Sequence, residues 1–175
     1  MLTPYPYTGV AVERQQIIWD TLKANPLDSF ILSGAPGVGK TTFARGLESL
    51  ARAACWKNFA VYSQTAAKYQ SDATAAKNGK HVSGLVNPDS FDNPHGIRWA
   101  VYLDDVDKIT DSTFISKTMF DLLNAICDER KPITLPVTQL VLTTNLNKEE
   151  FKKRFGDHVW WRLAKHCRWV SVERA

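Results

Sequence analysis

At 175 residues and 44% hydrophobic, the chain can bury one good core but hardly two, so a single domain is expected over 1–175, with 1–27 as an N-terminal segment and helix and 28–175 as the core proper. No apolar run approaches the length of a membrane span, and no signal peptide precedes Thr3-Pro4-Tyr5-Pro6, so no membrane association is expected. The net charge of +4 is unevenly placed: residues 147–175 hold eight Lys/Arg against four Asp/Glu, and the stretch 52–81 sets Arg52, Lys57, Lys68, Lys77 and Lys80 against Asp72 alone, a pattern open to nucleic-acid binding and equally to a solvated face.

Residues 1–11 are turn-rich, with Pro4, Pro6 and Gly9. The spacing of Ile17, Ile18, Trp19 and Leu22 predicts a helix over 12–25, stopped by Asn25-Pro26. Ser29-Phe30-Ile31-Leu32-Ser33 is then an apolar run bounded like a buried strand. It feeds Gly34-Ala35-Pro36-Gly37-Val38-Gly39-Lys40-Thr41, which fits G-x-x-x-x-G-K-[ST] without a mismatch. A helix over 41–54 follows, with Phe43, Leu47, Leu50 and Ala51 on one face. Strand, glycine turn and helix are what a phosphate cradle requires. Glycines let the backbone wrap phosphate without a Cβ in the way, Pro36 stiffens the turn, and the N–H groups of Gly37 to Thr41, with Thr42 at the exit, converge at the positive end of a helix dipole. Lys40 would reach the β- and γ-phosphates, and the Thr41 hydroxyl would ligate magnesium. These residues imply ATP-type nucleotide binding with Mg2+. Ahead of the strand, Thr8-Gly9-Val10 is a candidate adenine pocket or, equally, ordinary packing of a chain terminus.

A second strand is expected at 59–63 and an alanine- and lysine-rich helix at 64–78. Residues 79–98 form an irregular stretch, unusual inside a compact domain and commonly functional; Lys77, Lys80 and His81 there could touch a phosphate backbone or decorate a surface excursion. Trp99-Ala100-Val101-Tyr102-Leu103-Asp104-Asp105 is an apolar strand ending in carboxylates, so its tip delivers an acid to the phosphate cradle. Asp104 is the expected magnesium partner and Asp105 the expected base for the attacking water, with Asp107 as the alternative. A helix over 112–130 precedes a further β-rich run, Thr138 to Asn145, whose polar tip can aim the Asn145 amide at the γ-phosphate and the attacking water. Two short helices over 147–155 and 156–166 and a strand at 168–172 complete the chain. Arg162, beside Trp160 and Trp161, is open to three readings: a surface charge, a partner of Asp157, or a group reaching a neighbouring subunit's nucleotide. Cys55, Cys127 and Cys167 are an odd number without C-x-x-C spacing and read as buried thiols in a reducing cytoplasm, the expected compartment; the spacing of His166-Cys167 with His158 suits no common zinc site.

The order of Gly34–Thr41, Asp104-Asp105, Asn145 and Arg162 resembles that of AAA+ ATPases. Within that superfamily, Leu103-Asp104-Asp105, Thr143-Thr144-Asn145-Leu146 and Phe155-Gly156-Asp157-His158-Val159-Trp160-Trp161-Arg162-Leu163 resemble DnaC-type helicase loaders and IstB-type transposition ATPases. The last passage is similar to their G-[DE]-R-[IV]-x-x-R-L box; Arg162 matches its second arginine, the usual trans finger, and His158 stands in place of the first. The resemblance implies a three-layer α/β P-loop fold with a five-stranded parallel sheet in order 5-1-4-3-2. It also leads us to expect a bare ATPase core without a helical lid or an N-terminal partner-gripping domain. It implies an ATP-hydrolysing assembly factor acting on single- or double-stranded DNA, a homo-oligomer joined at the Arg162 edge and switched by nucleotide, with a helicase or transposase as possible partner. Two rival readings are a small-molecule P-loop kinase and a non-hydrolysing ATP-dependent binding module.

Overall fold

Alternation of side chains along Ser29–Ser33 sends Phe30 and Leu32 into one hydrophobic cluster and Ile31 into another, the mark of a strand covered on both faces. In the computed structural model, which describes residues 11–54, 59–80, 98–109 and 137–173, this strand is β1 and lies inside a five-stranded sheet. The elements in chain order are α1 (Ala11–Ala24), β1 (Ser29–Ser33), α2 (Lys40–Ala54), β2 (Phe59–Thr65), α3 (Ala66–Lys77), β3 (Arg98–Asp104), β4 (Val137–Thr144), α4 (Lys148–Phe155), α5 (Asp157–His166) and β5 (Cys167–Ser171). A single 3-10 turn at Val106–Lys108 follows β3. The strand order is β2-β3-β4-β1-β5 and every pair is parallel, which is the expected 5-1-4-3-2 sheet. The predicted helix over 112–130, most of the irregular stretch 79–98, Cys55, Cys127 and His81 lie outside the described residues.

The helices sort onto the two faces. Leu22 of α1 and Phe43, Ala44 and Leu47 of α2 pack on Phe30, Leu32, Ala100, Tyr102 and Val141. Tyr69 and Ala73 of α3, Phe151 of α4 and Val159 and Leu163 of α5 pack on Ile31, Val101, Leu103, Leu140 and Leu142. Each such fully buried large side chain contributes about 1.5–3 kcal/mol by leaving water. Ile17, expected on the buried side of α1, is instead 65% exposed, since Ile18, Trp19 and Leu22 complete the apolar stripe without it. Gly46 allows the α1–α2 contact: a Cβ there would stand 2.6 Å from the Trp19 ring.

Buried polar groups are used as ties. The Tyr102 hydroxyl donates to Gln139 Oε1 at 2.7 Å, and Gln139 Nε2 donates to the carbonyls of Pro26 and Asp28 at 2.6 and 3.0 Å. One amide thus joins β3, β4 and the α1–β1 turn with its own groups satisfied. At the start of α4, Asn147 and Glu150 form a reciprocal capping box. Among the described residues no helix is long and apolar enough to cross a membrane.

Among the described residues the basic stretch 52–81 is divided between the two faces of the sheet. Arg52 lies on α2 and is bonded to Glu48, while Lys68 and Lys77 lie on α3, across the sheet, with Lys68 bonded to Asp72. Lys77 and Lys80 are exposed on the side of the sheet that also carries α4 and α5.

Candidate functional site

Parallel strands bring their C-terminal ends to one edge, where α/β proteins place ligands. Register sets Ser33 of β1 beside Thr144 of β4, and Leu103 of β3 beside Leu142, so the residues following β1, β3 and β4 share that edge. The glycine loop begins there. Gly34 N donates to Thr144 O at 3.2 Å, and a Cβ on Gly34, whose φ is 156°, would come within 2.0 Å of Val172 O. Only glycine lets the loop pass so close to the end of β5. Gly39, at φ 96°, turns the chain into α2.

Lys40 folds back into this loop. Its Nζ donates to Gly34 O at 2.7 Å, Ala35 O at 2.9 Å and Asn145 Oδ1 at 2.8 Å, which uses all three ammonium donors. The side chain is 5% exposed, a deeper setting than a phosphate-binding role alone demanded. Burial pushes its pKa down, partly opposed by the nearby carboxylates of Asp105, Asp107 and Asp104.

Thr41 Oγ1 lies 3.0 and 3.1 Å from the two Asp104 oxygens, and the Thr143 hydroxyl donates to Asp104 Oδ1. Thr143 Oγ1 in turn accepts from Asp105 N at 2.8 Å. A hydroxyl beside a carboxylate is a hard oxygen set of the kind magnesium takes, with water and phosphate oxygens filling the remaining positions. Thr41 and Asp104 therefore fit the expected metal. Beside them a cavity of about 100 Å³ opens between α2 and the strand tips, lined by Arg45, Glu48, Ser63, Thr65 and Tyr102.

Asp105 is in left-handed backbone conformation, φ 56°, and its Oδ2 is 2.6 Å from Lys108 Nζ. This bridge raises the Lys108 pKa, through the hydrogen bond first and the charge of Asp105 second. Asp107 binds Asn145 twice, accepting from its backbone N and from Nδ2, both at 2.8 Å. Burial pushes the Asp107 carboxyl up, but the hydrogen bonds from Asn145 and from the Thr144 side chain outweigh it and hold the pKa below the ordinary value.

The cradle thus brings together Gly34, Gly39, Lys40, Thr41, Asp104 and Asn145, with Asp105 adjoining through Thr143. Gly37, at φ 78°, and the buried Val38 belong to the same loop, with Pro36 and Thr42 exposed at its rim. Gly9 and Val10, the expected adenine contacts, lie outside the described residues. Arg162 is half-buried on α5, and Asp157 lies 3.3 Å from Lys152. Trp160 packs with Phe151 and Trp169, whereas Trp161 is 60% exposed with Lys165 Nζ 4.1 Å from its ring centroid. Sequence reasoning missed Thr143 as the link between Asp104 and Asp105, and Lys108 as a partner of Asp105. The Thr-Thr-Asn tip and the Asp-Val-Asp-Lys turn contained both, with nothing to say which atoms meet.

A glycine loop between a central strand and a helix, facing the acid-tipped strand β3 that lies one strand further on beyond β4, defines a P-loop NTPase-type three-layer α/β protein. Residues 30–160 match the family model described as AAA, the ATPase family associated with various cellular activities, and the chain belongs to that family. Its fold is similar to the DnaC helicase loader, with TM-score 0.65 and 15% identity over 96% of this chain and 93% of that one. It is also similar to AMPPCP-bound DnaA from Aquifex aeolicus, with TM-score 0.63 and 15% identity over 96% of this chain and 48% of that one. The replication initiator DnaA bound to AMPPCP and single-stranded DNA gives TM-score 0.61 at 16% identity, covering 96% and 48%. The chain therefore spans about half the length of the DnaA chains it resembles. No curated protein sequence matches it.

Proposed function

We propose that the chain binds ATP with Mg2+ and hydrolyses it as an assembly factor acting on DNA, of the helicase-loader or transposition-helper type. The observation that carries this reading is the meeting of Lys40, Thr41, Asp104 and Asn145, drawn from three separate passages of sequence, around one glycine loop. In this reading the N–H groups of Gly37–Thr42 cradle the phosphates, and Lys40 leaves the Gly34 and Ala35 carbonyls to contact the β- and γ-phosphates. Thr41 and Asp104 would hold magnesium, whose charge would neutralise the phosphate oxygens. Asp105 accepts the proton of the attacking water, Asn145 orients that water, and Arg162 reaches the nucleotide of an adjacent copy. Gly9 and Val10 contact adenine.

DNA as partner rests on the positive tail of the sequence and on the fold shared with a single-stranded-DNA-bound initiator. Oligomer switching rests on Arg162, and a helicase or transposase partner on the resemblance to loaders. A second reading, a slowly hydrolysing or non-hydrolysing binding module, is favoured by one feature: the Asp105 carboxylate is already taken by Lys108. Measuring ATP binding and phosphate release with and without single-stranded DNA separates the two. Binding with DNA-stimulated release supports the assembly ATPase; binding without release supports the module; phosphate passed to a small acceptor supports a kinase; no binding ends all three.

A further inference from the structure

The Asn145 side chain is wedged between two groups of fixed polarity. An ionised carboxylate only accepts hydrogen bonds and an ammonium only donates them. Asp107 Oδ2 is 2.8 Å from Asn145 Nδ2, and Lys40 Nζ is 2.8 Å from Asn145 Oδ1. The amide therefore has one permissible orientation, with its NH2 away from the glycine loop and its oxygen toward it. The second Asp107 oxygen takes the Asn145 backbone N–H, so the carboxylate grips both ends of the residue. Ser33 Oγ donates to Leu146 O at 2.7 Å and pins the next residue, leaving the tip of β4 little room to turn.

The geometry points to Asp107 as a positioning residue that fixes Asn145 as a hydrogen-bond acceptor toward the nucleotide. This deepens the hydrolytic reading above and rests on it. In the structure the Asn145 oxygen accepts from Lys40 Nζ. Once phosphate draws Lys40 away, the same oxygen is the free acceptor, and the group it suits is a donor: the attacking water, not a phosphate oxygen. Asp107, with both oxygens engaged, serves through Asn145 and not as an independent base.

Asp107→Asn is the incisive substitution, because it keeps shape while replacing one acceptor by a donor. Asn145 can then satisfy it only by turning its oxygen away from the cradle. ATP affinity should stay within about threefold while turnover falls ~10²-fold, the loss typical of removing one preorganised hydrogen-bonding group. Adding Asp107→Asn to Asn145→Ala should cost nothing further, since both act as one unit. Losses that multiply would make Asp107 an independent base and overturn the assignment, as would wild-type turnover in Asp107→Asn. A readout free of turnover is the NMR signal of the Asn145 side-chain NH2. In wild-type protein it should be shifted and protected from exchange, keep both properties with Mg2+ and AMPPCP, and lose them in Asp107→Asn. An unprotected signal, or loss of protection on adding AMPPCP, would mean the NH2 is not held by Asp107 or has turned to phosphate. A wild-type protein without turnover would count against the hydrolytic reading alone, because the NH2 signal still tests the grip.

Discussion

At the strand ends, Lys40, Thr41, Asp104, Asp107 and Asn145 hold one another in place, and Lys40 has only 5% of its surface in contact with solvent. On α5, Trp161 is 60% exposed and the exposed Lys165 places its Nζ 4.1 Å from the ring centroid. Hydrogen bonds to charged groups contribute ~1.5–3 kcal/mol each, whereas an exposed cation–π contact contributes ~0.5–1 kcal/mol. The first region is held by the stronger set of contacts, all from this chain's own groups. The second has an order that a docking molecule could reset cheaply. The proposed role of the cradle rests on groups of one chain, while the role proposed for the α5 edge calls for a second molecule.

The largest effect should come from breaking the cradle. Lys40→Ala removes the cation expected at the phosphates and leaves Asn145 Oδ1 and two loop carbonyls without their shared donor. ATP binding by calorimetry should fall below detection, together with a modest loss of thermal stability that the burial of Lys40 now adds. Unchanged affinity in the folded variant would end the phosphate-cradle reading.

Next in size is the edge. If Arg162 completes a neighbour's site, Arg162→Ala should lower turnover ~10³-fold or more, the worth of an arginine finger. ATP affinity of the monomer should be near normal. Mixing this variant with Lys40→Ala should restore part of the activity, because some interfaces then pair an intact cradle with an intact Arg162. Turnover per molecule that is independent of protein concentration would show instead that each chain works alone.

Much of this comparison was legible in the sequence. β1 is read to the residue at Ser29–Ser33, and the glycine loop, Asp104 and Asn145 fall where their spacing put them. β2 was read as ending at residue 63, but it runs to Thr65. Gln64 looks like the start of a helix because it is polar, yet it is buried and bonded to Asp72 eight residues on, while Thr65 caps α3 by accepting from Lys68 N. A polar residue in a strand is invisible to periodicity when its partner arrives from the next element. The grip of Asp107 on Asn145 spans 38 residues and depends on which way a turn after β3 faces. The positive φ of Asp105 also gave no signal, since aspartate tolerates that conformation without announcing it.

A smaller effect separates ground-state binding from chemistry within the cradle. Asp105→Asn and Asn145→Ala should each keep ATP affinity near wild type and lower single-turnover hydrolysis ~10²-fold, since both are expected to act on the attacking water. Asp104→Ala should differ in kind, weakening binding in the presence of Mg2+ and much less in its absence. A wild-type rate in Asp105→Asn would remove it as the base.

The smallest effect concerns Lys108, and it tests whether the cradle is as complete as its hydrogen bonds suggest. The ammonium lies 2.6 Å from Asp105 Oδ2, so one oxygen of the expected base is occupied. Because the Lys108 pKa is raised, the bridge is fully formed below the ordinary lysine value and is lost only as pH rises through the higher folded value, so it is present throughout the neutral range. The pair is solvent-accessible, with side-chain exposures of 60% and 29%, and exposed pairs are worth about 1 kcal/mol at most. Lys108→Ala should therefore raise turnover by no more than about fivefold, the rate equivalent of that energy. Rising ionic strength should narrow the gap by speeding the wild type and leaving the variant nearly unmoved. A polyanion that draws Lys108 away would have the same sense, which links this exposed lysine to any stimulation by DNA. If Lys108→Ala slows hydrolysis, the bridge is holding Asp105 in its working position, and the occupied carboxylate is preparation, not restraint.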